Sequence, residues 1–451
     1  MADGTRNLTV GNPRKLILEF AVPVFLSQVF QQLYNTADSL IVGRYLGTEA
    51  LAAVSSSGTL IFLLISFFVG TSMGASVVIS RYFGAGDNER VSRAIHTTTL
   101  LGIASGIALT AIGVFLTPTF LRWMGTDPDV LPQAIEYFRY YFMGVIAIVM
   151  YNNSKGIMNA LGDSKRPLYY LIFSSIVNIV LDLLFIAVFK WGVWSAAVAT
   201  TISQAISVIP CLIHLSKSGT IYQLEWKKLR IDKEMLKEIL RYGLPSGIQN
   251  SVIGLANVVV QTNINSFGKA AMAGYGSYAK IEGFAFLPIT SFTMALTTFT
   301  GQNLGAGEYL RTKQGARFGI ISVMLLAELI GLVIYFFAPQ LIGLFSSDPS
   351  VIAFGVQQAR VISLFYCLLA FSHAIASICR GAGKAFVPMT IMLAVWCALR
   401  IAYITVIMGI KHDIQYIYWA YPITWAISSV IYLFYYLFSD WIHGFQKQKA
   451  A

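Results

Sequence analysis

The chain has 451 residues, of which 56% are hydrophobic and only 12% are charged. A soluble globular protein has roughly 25% charged residues, so this composition excludes a water-soluble fold and points to a lipid bilayer. The formal net charge of +11 would suit a nucleic-acid partner. However, most Lys and Arg residues lie at the N-terminus and in every second loop between apolar segments, which indicates membrane topology and predicts no nucleic-acid partner.

The chain contains twelve successive apolar segments. Each is long enough to cross roughly 30 Å of hydrocarbon. They lie near residues 16–42, 51–80, 95–117, 134–161, 168–189, 192–214, 242–266, 271–300, 318–343, 351–379, 387–410 and 415–438. Loops rich in Lys and Arg face the cytoplasm, and Lys447 and Lys449 place the C-terminus there too. The sequence thus predicts a multi-pass protein of the cytoplasmic membrane with both termini in the cytoplasm.

The second half of the chain repeats the first at a nearly constant offset of 221 residues. The matching positions include Gly47 and Gly268, Gly84-Ala85-Gly86 and Gly305-Ala306-Gly307, Asp127-Pro128 and Asp348-Pro349, and Gly162 and Gly383; Pro23 and Asn35 match Pro245 and Asn257 at 222. Because no strand precedes these glycines, we interpret them as helix ends and not as a nucleotide-binding loop.

Each repeat has six segments, so both repeats begin on the same side of the membrane. The predicted fold is therefore an all-α integral membrane protein whose twelve transmembrane helices form two six-helix bundles in a parallel repeat, related by a pseudo-twofold axis. The predicted domains are an N-lobe at 1–214, a cytoplasmic amphipathic linker at 215–241 and a C-lobe at 242–451. The linker pattern favours a helix on the membrane surface, with a plain solvated linker as the alternative.

Polar residues inside the apolar segments are costly and indicate a functional site. The first helix carries Asn35 and Asp38, and the fifth carries Asn178 and Asp182, each pair on one helical face. Asn152 lies on the fourth helix and Thr200 on the sixth. The second-half partners of Asp38, Asn152, Asn178, Asp182 and Thr200 are Val260, His373, Leu399, Tyr403 and Tyr421. The polar set is thus confined to the first repeat.

One interpretation of this set is a hydrogen-bonded clasp between helices, but such bonds contribute only about 0.6 kcal/mol on average, which compensates poorly for two buried acids. The other is an ion site, because two carboxylates among neutral oxygens bind a hard cation or share a proton. The residue types leave Na⁺ at Asp38, Asn178 and Asp182 and H⁺ as open alternatives. Pro23 breaks the helical hydrogen-bond ladder before Asp38 and is a candidate hinge for gating.

The second repeat has its own ionisable residues, which we regard as candidate substrate or ion contacts: Lys280, Glu282, His373 and Arg400. Lys280 and Glu282 are two residues apart and so point to different helical faces. The alternative for each is a structural partner on a neighbouring helix. Aromatic residues make up 14% of the chain and Met contributes 13 residues. A cavity with such a lining suits bulky apolar cations through cation–π and dispersion contacts.

These features resemble the multidrug and toxic compound extrusion (MATE) family. The resemblance is carried by Pro23, Asn35 to Asp38, Gly43, Gly47 with Leu51-Ala52-Ala53, Gly84-Ala85-Gly86, Gly162-Asp163 with Pro167, and Arg380-Gly381-Ala382-Gly383 with Pro388. It implies two six-helix lobes and export of cationic or amphiphilic compounds by alternating access in exchange for H⁺ or Na⁺. The cation site of bacterial and archaeal relatives is implied to fall on Asp38, Asn152, Asn178, Asp182 and Thr200.

Some relatives also place acids on the seventh and tenth helices, but this chain has none between Leu244 and Phe267 or between Val351 and Cys379. We therefore do not expect a second-lobe ion site of that kind, and Glu282 is the nearest substitute. The rival functions are a flippase for lipid-linked saccharides or cell-wall precursors and a membrane-embedded enzyme. A flippase needs grouped Arg and Lys to hold pyrophosphate. An enzyme needs a catalytic cluster, and the sequence shows neither.

The expected partners are small cationic or amphiphilic substrates and the lipid bilayer. We expect no cofactor apart from the coupling ion, and a monomer.

Overall fold

The computed structural model describes residues 6–123, 126–217 and 219–445, except for the side chains of residues 48, 52, 55–64 and 67. Lys447 and Lys449, which support a cytoplasmic C-terminus, lie outside the described residues, as does the side chain of Ala52. Within the described ranges every regular element is a helix.

The first half contains α1 to α7, and a π-helix at Leu183–Val188 continues α6. Their bounds are α1 Pro13–Leu46, α2 Thr48–Gly84, α3 Asn88–Trp123, α4 Leu131–Met143, α5 Val145–Ala160, α6 Lys165–Asp182 and α7 Trp194–Leu215.

The second half contains α8 to α15, with a 3₁₀ turn at Ser363–Phe365 between α11 and α12 and a π-helix at Leu393–Leu399 between α13 and α14. The bounds are α8 Lys233–Asn265, α9 Lys269–Gly305, α10 Tyr309–Gly343, α11 Pro349–Ile362, α12 Tyr366–Gly381, α13 Phe386–Met392, α14 Arg400–Ile410 and α15 Ile414–Phe438.

Three of the predicted segments are interrupted helices: α4 with α5, α11 with α12, and α13 with α14. When each pair is taken as one span, the fifteen α-helices form twelve spans at the predicted places, which confirms the fold class. By length and composition alone, nine spans among the described residues are apolar enough to cross a membrane.

The duplicated glycines end helices in both halves, as predicted. α2 ends at Gly84 and α9 at Gly305, and the residues that follow at the turn, Gly86 and Gly307, have φ angles of 70° and 78°. Only glycine adopts this left-handed conformation without a steric penalty, which explains why both repeats carry it.

Contacts between Cα atoms divide the chain into two compact units. The first unit comprises residues 1–7 and 26–247, and the second comprises residues 8–25 and 248–451. The first helix of each repeat, α1 and α8, contributes residues to both units, and Pro23 and Pro245 each lie two residues before the change of unit. The domain boundaries predicted from the sequence stay a prediction.

The linker differs from the expected surface helix. Its described residues form a 3₁₀ turn at Trp226–Lys228, and from Lys233 onward they are the first residues of α8. Leu224 is 1% exposed, and its N–H donates to the carbonyl of Leu215 at 2.7 Å. Asp232 accepts the N–H groups of Glu234 and Met235 at 3.0 Å and so caps α8. The buried apolar residues of the linker, such as Leu224 and Met235, therefore pack within the first unit without forming a separate helix.

Small residues let α3 approach its neighbours closely. An added Cβ at Gly106 would lie 2.7 Å from Cγ1 and 3.0 Å from Cα of Ile146 on α5. Small residues at such contacts are typical of helix packing in membranes, where backbone approach replaces the hydrophobic driving force.

We predict that Gly106→Ala lowers the stability of the protein by about 1–3 kcal/mol, because the new methyl group overpacks the contact with α5. The matched control is Gly409→Ala on α14, where no atom lies within 4 Å of an added Cβ. Thermal unfolding in detergent measures both. A Gly106→Ala protein as stable as the control would contradict the packing explanation.

A second prediction concerns Asp232, which lies outside the spans. Its partial burial disfavours the charged form, but the N–H of Met235 and the guanidinium of Arg93 outweigh it, so the pKa of Asp232 lies below its usual range. A lowered folded-state pKa means that the ionised carboxylate stabilises the folded state above the unfolded-state pKa, and that this contribution is lost as pH falls through the folded-state pKa.

Asp232→Asn should therefore lower the thermal midpoint at pH 7, and the difference from the wild type should shrink in acid. Asp129→Asn, at an exposed loop residue, is the control. A difference for Asp232→Asn that grows as the pH falls would show that the sign is wrong.

Candidate functional site

Four residues of the predicted polar set are buried within the first unit. Asp38 on α1 and Thr200 on α7 are each 8% exposed, whereas Asn178 and Asp182 on α6 are both 0% exposed. Residues four apart share a helical face, which is why α6 presents its amide and its carboxyl together. Asp38 on α1 and Asp182 on α6 interact with each other, so at least these two helices contribute to one buried polar site.

The carboxyl groups of Asp38 and Asp182 lie close enough to interact electrostatically. Within the part of the chain that the structure describes, Oδ1 of Asp38, both carboxyl oxygens of Asp182 and both amide atoms of Asn178 have no hydrogen-bond partner. Buried polar atoms are nearly always paired, so a cluster of unpaired ones calls for an explanation such as an ion or a proton. The arrangement argues against a simple hydrogen-bonded clasp.

Three tyrosines that the sequence reasoning missed interact with the carboxyl pair. Tyr34 on α1 and Tyr137 and Tyr141 on α4 all interact electrostatically with Asp38. The phenolic oxygen of Tyr34 accepts a hydrogen bond from Nε2 of Gln204 at 3.2 Å. Their hydroxyl groups can donate hydrogen bonds to a carboxylate and so can stabilise the pair where water is excluded.

The same comparison of repeats could have found these residues. Tyr137 and Tyr141 correspond to Gln358 and Ile362 at the offset of 221, and Gln204 corresponds to Trp425. Tyr34 also lies four residues before Asp38 and hence on its helical face. A tyrosine alone is a weak signal of a functional site, because its amphipathic side chain is common in any membrane protein.

Two residues of the predicted set have other surroundings. Asn35 is exposed, in contrast to Asp38 one turn later. Asn152 on α5 is partly exposed, and its amide donates to the carbonyl of Ile148 on the same helix at 2.9 Å. The adjacent Asn153 is the more buried residue, at 5% exposed, and its Oδ1 accepts a hydrogen bond from Ser72. The roles expected of Asn35, Asn152 and Pro23 stay predictions.

π-Helical segments lie beside the buried ionisable residues. The π-helix at Leu183–Val188 begins directly after Asp182, and the one at Leu393–Leu399 ends directly before Arg400. π-Helical turns are rare and occur frequently at functional sites, because the wider turn leaves backbone groups unpaired and redirects side chains.

The second unit contains a polar cluster of a different kind. Arg400 is 3% exposed, and its Nε and Nη2 donate to Oγ1 of Thr424 at 3.2 and 2.8 Å. Its guanidinium carbon lies 4.3 Å from the ring centroid of Tyr421. Glu282 on α9 interacts electrostatically with Arg400. Here a partly buried acid interacts with a buried cation and not with another acid.

Lys280 and His373 contact aromatic rings. Lys280 is exposed, with Nζ 5.3 Å from the ring centroid of Phe345. The ring of His373 packs edge-on against Phe286 and Trp396, at centroid distances of 5.0 and 5.2 Å. His373 therefore has the surroundings of a packed aromatic residue, while any role of these side chains in substrate or ion contact stays a prediction.

Among the described residues, no group of three or more His, Cys, Asp and Glu side chains is suited to a metal ion. A cation at Asp38, Asn178 and Asp182 would therefore depend on two carboxylates and neutral oxygens. Such a donor set suits a hard monovalent cation and not a transition metal.

Comparison with known proteins decides the family. The family model MatE matches residues 23–184 and 245–406, which together make up more than half of the chain and coincide with the two repeats. The chain belongs to the MATE family. The resemblance inferred from the motifs is thereby confirmed.

Two proteins of Bacillus subtilis are similar to this MATE protein over most of its length. "Probable multidrug resistance protein YoeA" of Bacillus subtilis (strain 168) is 31% identical over 432 residues, covering 93% of this chain and 92% of the relative. "Probable multidrug resistance protein YpnP" of the same organism is 29% identical over 394 residues, covering 87% and 88%.

Among solved structures, "Crystal structure of MATE in the bent conformation" matches with a TM-score of 0.91 over the full length of both chains. At 24% sequence identity, this likeness shows that the MATE fold is shared.

We predict that the carboxyl pair of this MATE protein is energetically coupled. Asp38→Asn and Asp182→Asn each remove one of two interacting buried acids, so each single substitution removes the unfavourable interaction between them. In the double variant, the second substitution should therefore change the free energy of unfolding less favourably than the same substitution does in the wild type. The deviation from additivity should be at least about 0.5 kcal/mol. Thermal unfolding of the single and double variants in detergent measures it, with Asp38→Asn combined with Asp129→Asn as the additive control. Additive effects for Asp38 and Asp182 would refute the coupling.

Proposed function

We propose that this MATE protein exports cationic or amphiphilic organic compounds by antiport with H⁺ or Na⁺ through alternating access. The observation that supports this proposal is the buried site of Asp38, Asp182 and Asn178, where all side-chain polar atoms except Oδ2 of Asp38 lack a hydrogen-bond partner among the described residues. Burial makes the charge state of the site expensive to change, so binding an ion there can shift a conformational equilibrium. The site is thus a reasonable coupling element.

Both coupling ions are compatible with the chemistry of the site. Two interacting carboxyls cannot both stay ionised at low cost, so one proton can be shared between them. Na⁺ would instead keep both carboxylates ionised and would take further oxygens from Asn178 and from the hydroxyl of Thr200. Release of either ion leaves like charges facing each other, which favours a rearrangement of α1 against α6.

Pro23 is the hinge proposed for that rearrangement. It lies within α1, where it removes one hydrogen bond of the helix, and it precedes by two residues the point at which α1 changes unit. Its counterpart Pro245 has the same position in α8. Both prolines thus support an architectural kink, and a gating role in addition is proposed for Pro23 alone.

The proposed substrate class follows from the composition and from the relatives. With 30 Phe, 23 Tyr and 13 Met residues, any cavity between the helices offers aromatic faces and polarisable sulfur. Such surfaces bind bulky cations of varied shape. The relatives named above are described as multidrug resistance proteins. The proposed setting is the cytoplasmic membrane, with both termini in the cytoplasm and the protein as a monomer.

The flippase alternative is not favoured. It requires a group of cations that hold pyrophosphate. Arg400 is instead engaged by Thr424 and Tyr421, while Lys280 lies over Phe345. Each of these two cations thus has its own uncharged protein partners, which does not favour their holding one anionic substrate together.

We expect Asp38→Asn and Asp182→Asn each to reduce gradient-driven export of a fluorescent organic cation by at least about tenfold, because neither variant keeps the two-carboxyl site. Proteoliposomes are loaded with the dye and given a pH gradient or a Na⁺ gradient separately. The wild type then identifies the coupling ion. Glu136→Gln, which leaves the buried pair intact, is the control. Unchanged export by Asp38→Asn under both gradients would refute the mechanism.

A further inference from the structure

A basic pocket lies between the linker and the first turns of α3, outside the buried site described above. Its volume is about 420 Å³. It is lined by Ser92, Arg93 and His96 of α3 and by Lys227, Lys228, Leu229, Arg230 and Asp232 of the linker. All of these residues belong to the first unit. Four cations and one acid line the pocket, which is therefore suited to an anion.

Two of the four cations are held in place by acids, and two are available to a ligand. Nη2 of Arg93 lies 2.7 Å from Oδ2 of Asp232 and 2.9 Å from Oε2 of Glu234. Lys228 pairs with Glu225 at 2.9 Å. Lys227 and Arg230 are exposed, and within the described ranges they form no ion pair. The acids thus position the pocket wall, whereas Lys227 and Arg230 supply the uncompensated charge.

Hydrogen bonds from α3 hold the linker segment that forms the pocket. Nδ1 of His96 lies 2.7 Å from the carbonyl oxygen of Ser92, so this nitrogen carries the proton, and Nε2 accepts the N–H of Glu225 at 3.1 Å. Oγ1 of Thr97 accepts the N–H of Asp232 at 3.1 Å. The segment between Glu225 and Asp232 is therefore fastened at both ends, and the pocket exists before any ligand arrives.

The linker also carries exposed apolar side chains, two of which, Trp226 and Ile231, are next in sequence to residues that line the pocket. Ile221, Trp226 and Ile231 are 45%, 48% and 45% exposed. Nε1 of Trp226 donates to Oγ of Ser216 at 2.9 Å, so the ring has a fixed position at the end of α7. Exposed Trp and Ile beside Lys and Arg are typical of segments that lie in the membrane interface, where the rings and aliphatic chains contact lipid and the cations contact headgroups.

We propose that this pocket binds the phosphate of an anionic phospholipid in the cytoplasmic leaflet. Lys227 and Arg230 would contact the phosphate, and Ile221, Trp226 and Ile231 would contact the glycerol and the upper acyl chains. A free phosphate or a nucleotide would use the cations but would leave the exposed apolar side chains without a partner, so the lipid accounts for both observations. Basic pockets beside transmembrane helices are known to bind such headgroups. The proposal depends on the proposed orientation of the linker but not on ion-coupled export.

The test uses the full-length protein in vesicles of phosphatidylcholine and phosphatidylglycerol at 3:1, with a trace of phosphatidylglycerol that carries a photoactivatable group at its headgroup. After illumination, the labelled peptides are identified by mass spectrometry. We expect the label on residues 219–232 and on the first turns of α3. The triple substitution Lys227→Gln, Lys228→Gln and Arg230→Gln should reduce that labelling by at least about tenfold, because each cation near the surface contributes to the attraction.

The matched control removes three exposed cations of the same region that do not line the pocket, through Lys233→Gln, Lys237→Gln and Arg241→Gln. It should keep the labelling within about twofold of the wild type. Equal labelling of the pocket variant and the control would overturn the proposal. Loss of labelling in the wild type on addition of 10 mM inorganic phosphate, with NaCl of equal ionic strength having no effect, would assign the pocket to a free anion and would likewise overturn the lipid assignment.

Discussion

The structure depends on one constraint, which is that an ionisable side chain inside a bilayer must be neutralised, paired or given an ion. Twelve apolar spans leave few places for such groups. In the first unit, Asp38 and Asp182 interact with each other and Asp38 interacts with three tyrosines, whereas no cation of the described residues is among their main electrostatic partners. A site of this kind has an unsatisfied demand for positive charge. Because the two acids lie on α1 and α6, binding of a cation or a proton between them changes the interaction of these two helices. The site is therefore suited to couple an ion to a change of conformation.

The two repeats share a scaffold but differ in whether their acid has a cationic side chain as a partner. In the second unit, Glu282 has Arg400 as an electrostatic partner, and Arg400 is further held by Thr424 and Tyr421. An internally compensated pair has less need of an external cation than two facing acids. The two repeats therefore have the same architecture, and substitutions at a few positions make the charges of their polar clusters different.

The linker shows that polar interactions outside the spans also organise the molecule. Asp232 caps α8, pairs with Arg93 and donates its own N–H to Thr97. His96 accepts the N–H of Glu225. These contacts fasten the segment between α7 and α8 to α3, so the linker is a structured part of the first unit. Trp226, Lys227 and Arg230 of the linker remain exposed.

By itself, the sequence determined the twelve spans, the duplication, the helix-ending glycines and four buried members of the polar set. These features can be read along the chain, because they depend on the hydrophobic pattern, on the residues at turns and on the comparison of the two repeats. It did not determine the breaks within spans, the course of the linker, or the partners of each buried group. Glu328, for example, accepts the N–H of Cys367 at the start of α12, and Tyr137 and Tyr141 approach Asp38 from another helix. Only the tertiary structure decided such contacts, because they depend on how helices distant in sequence rotate and pack against one another.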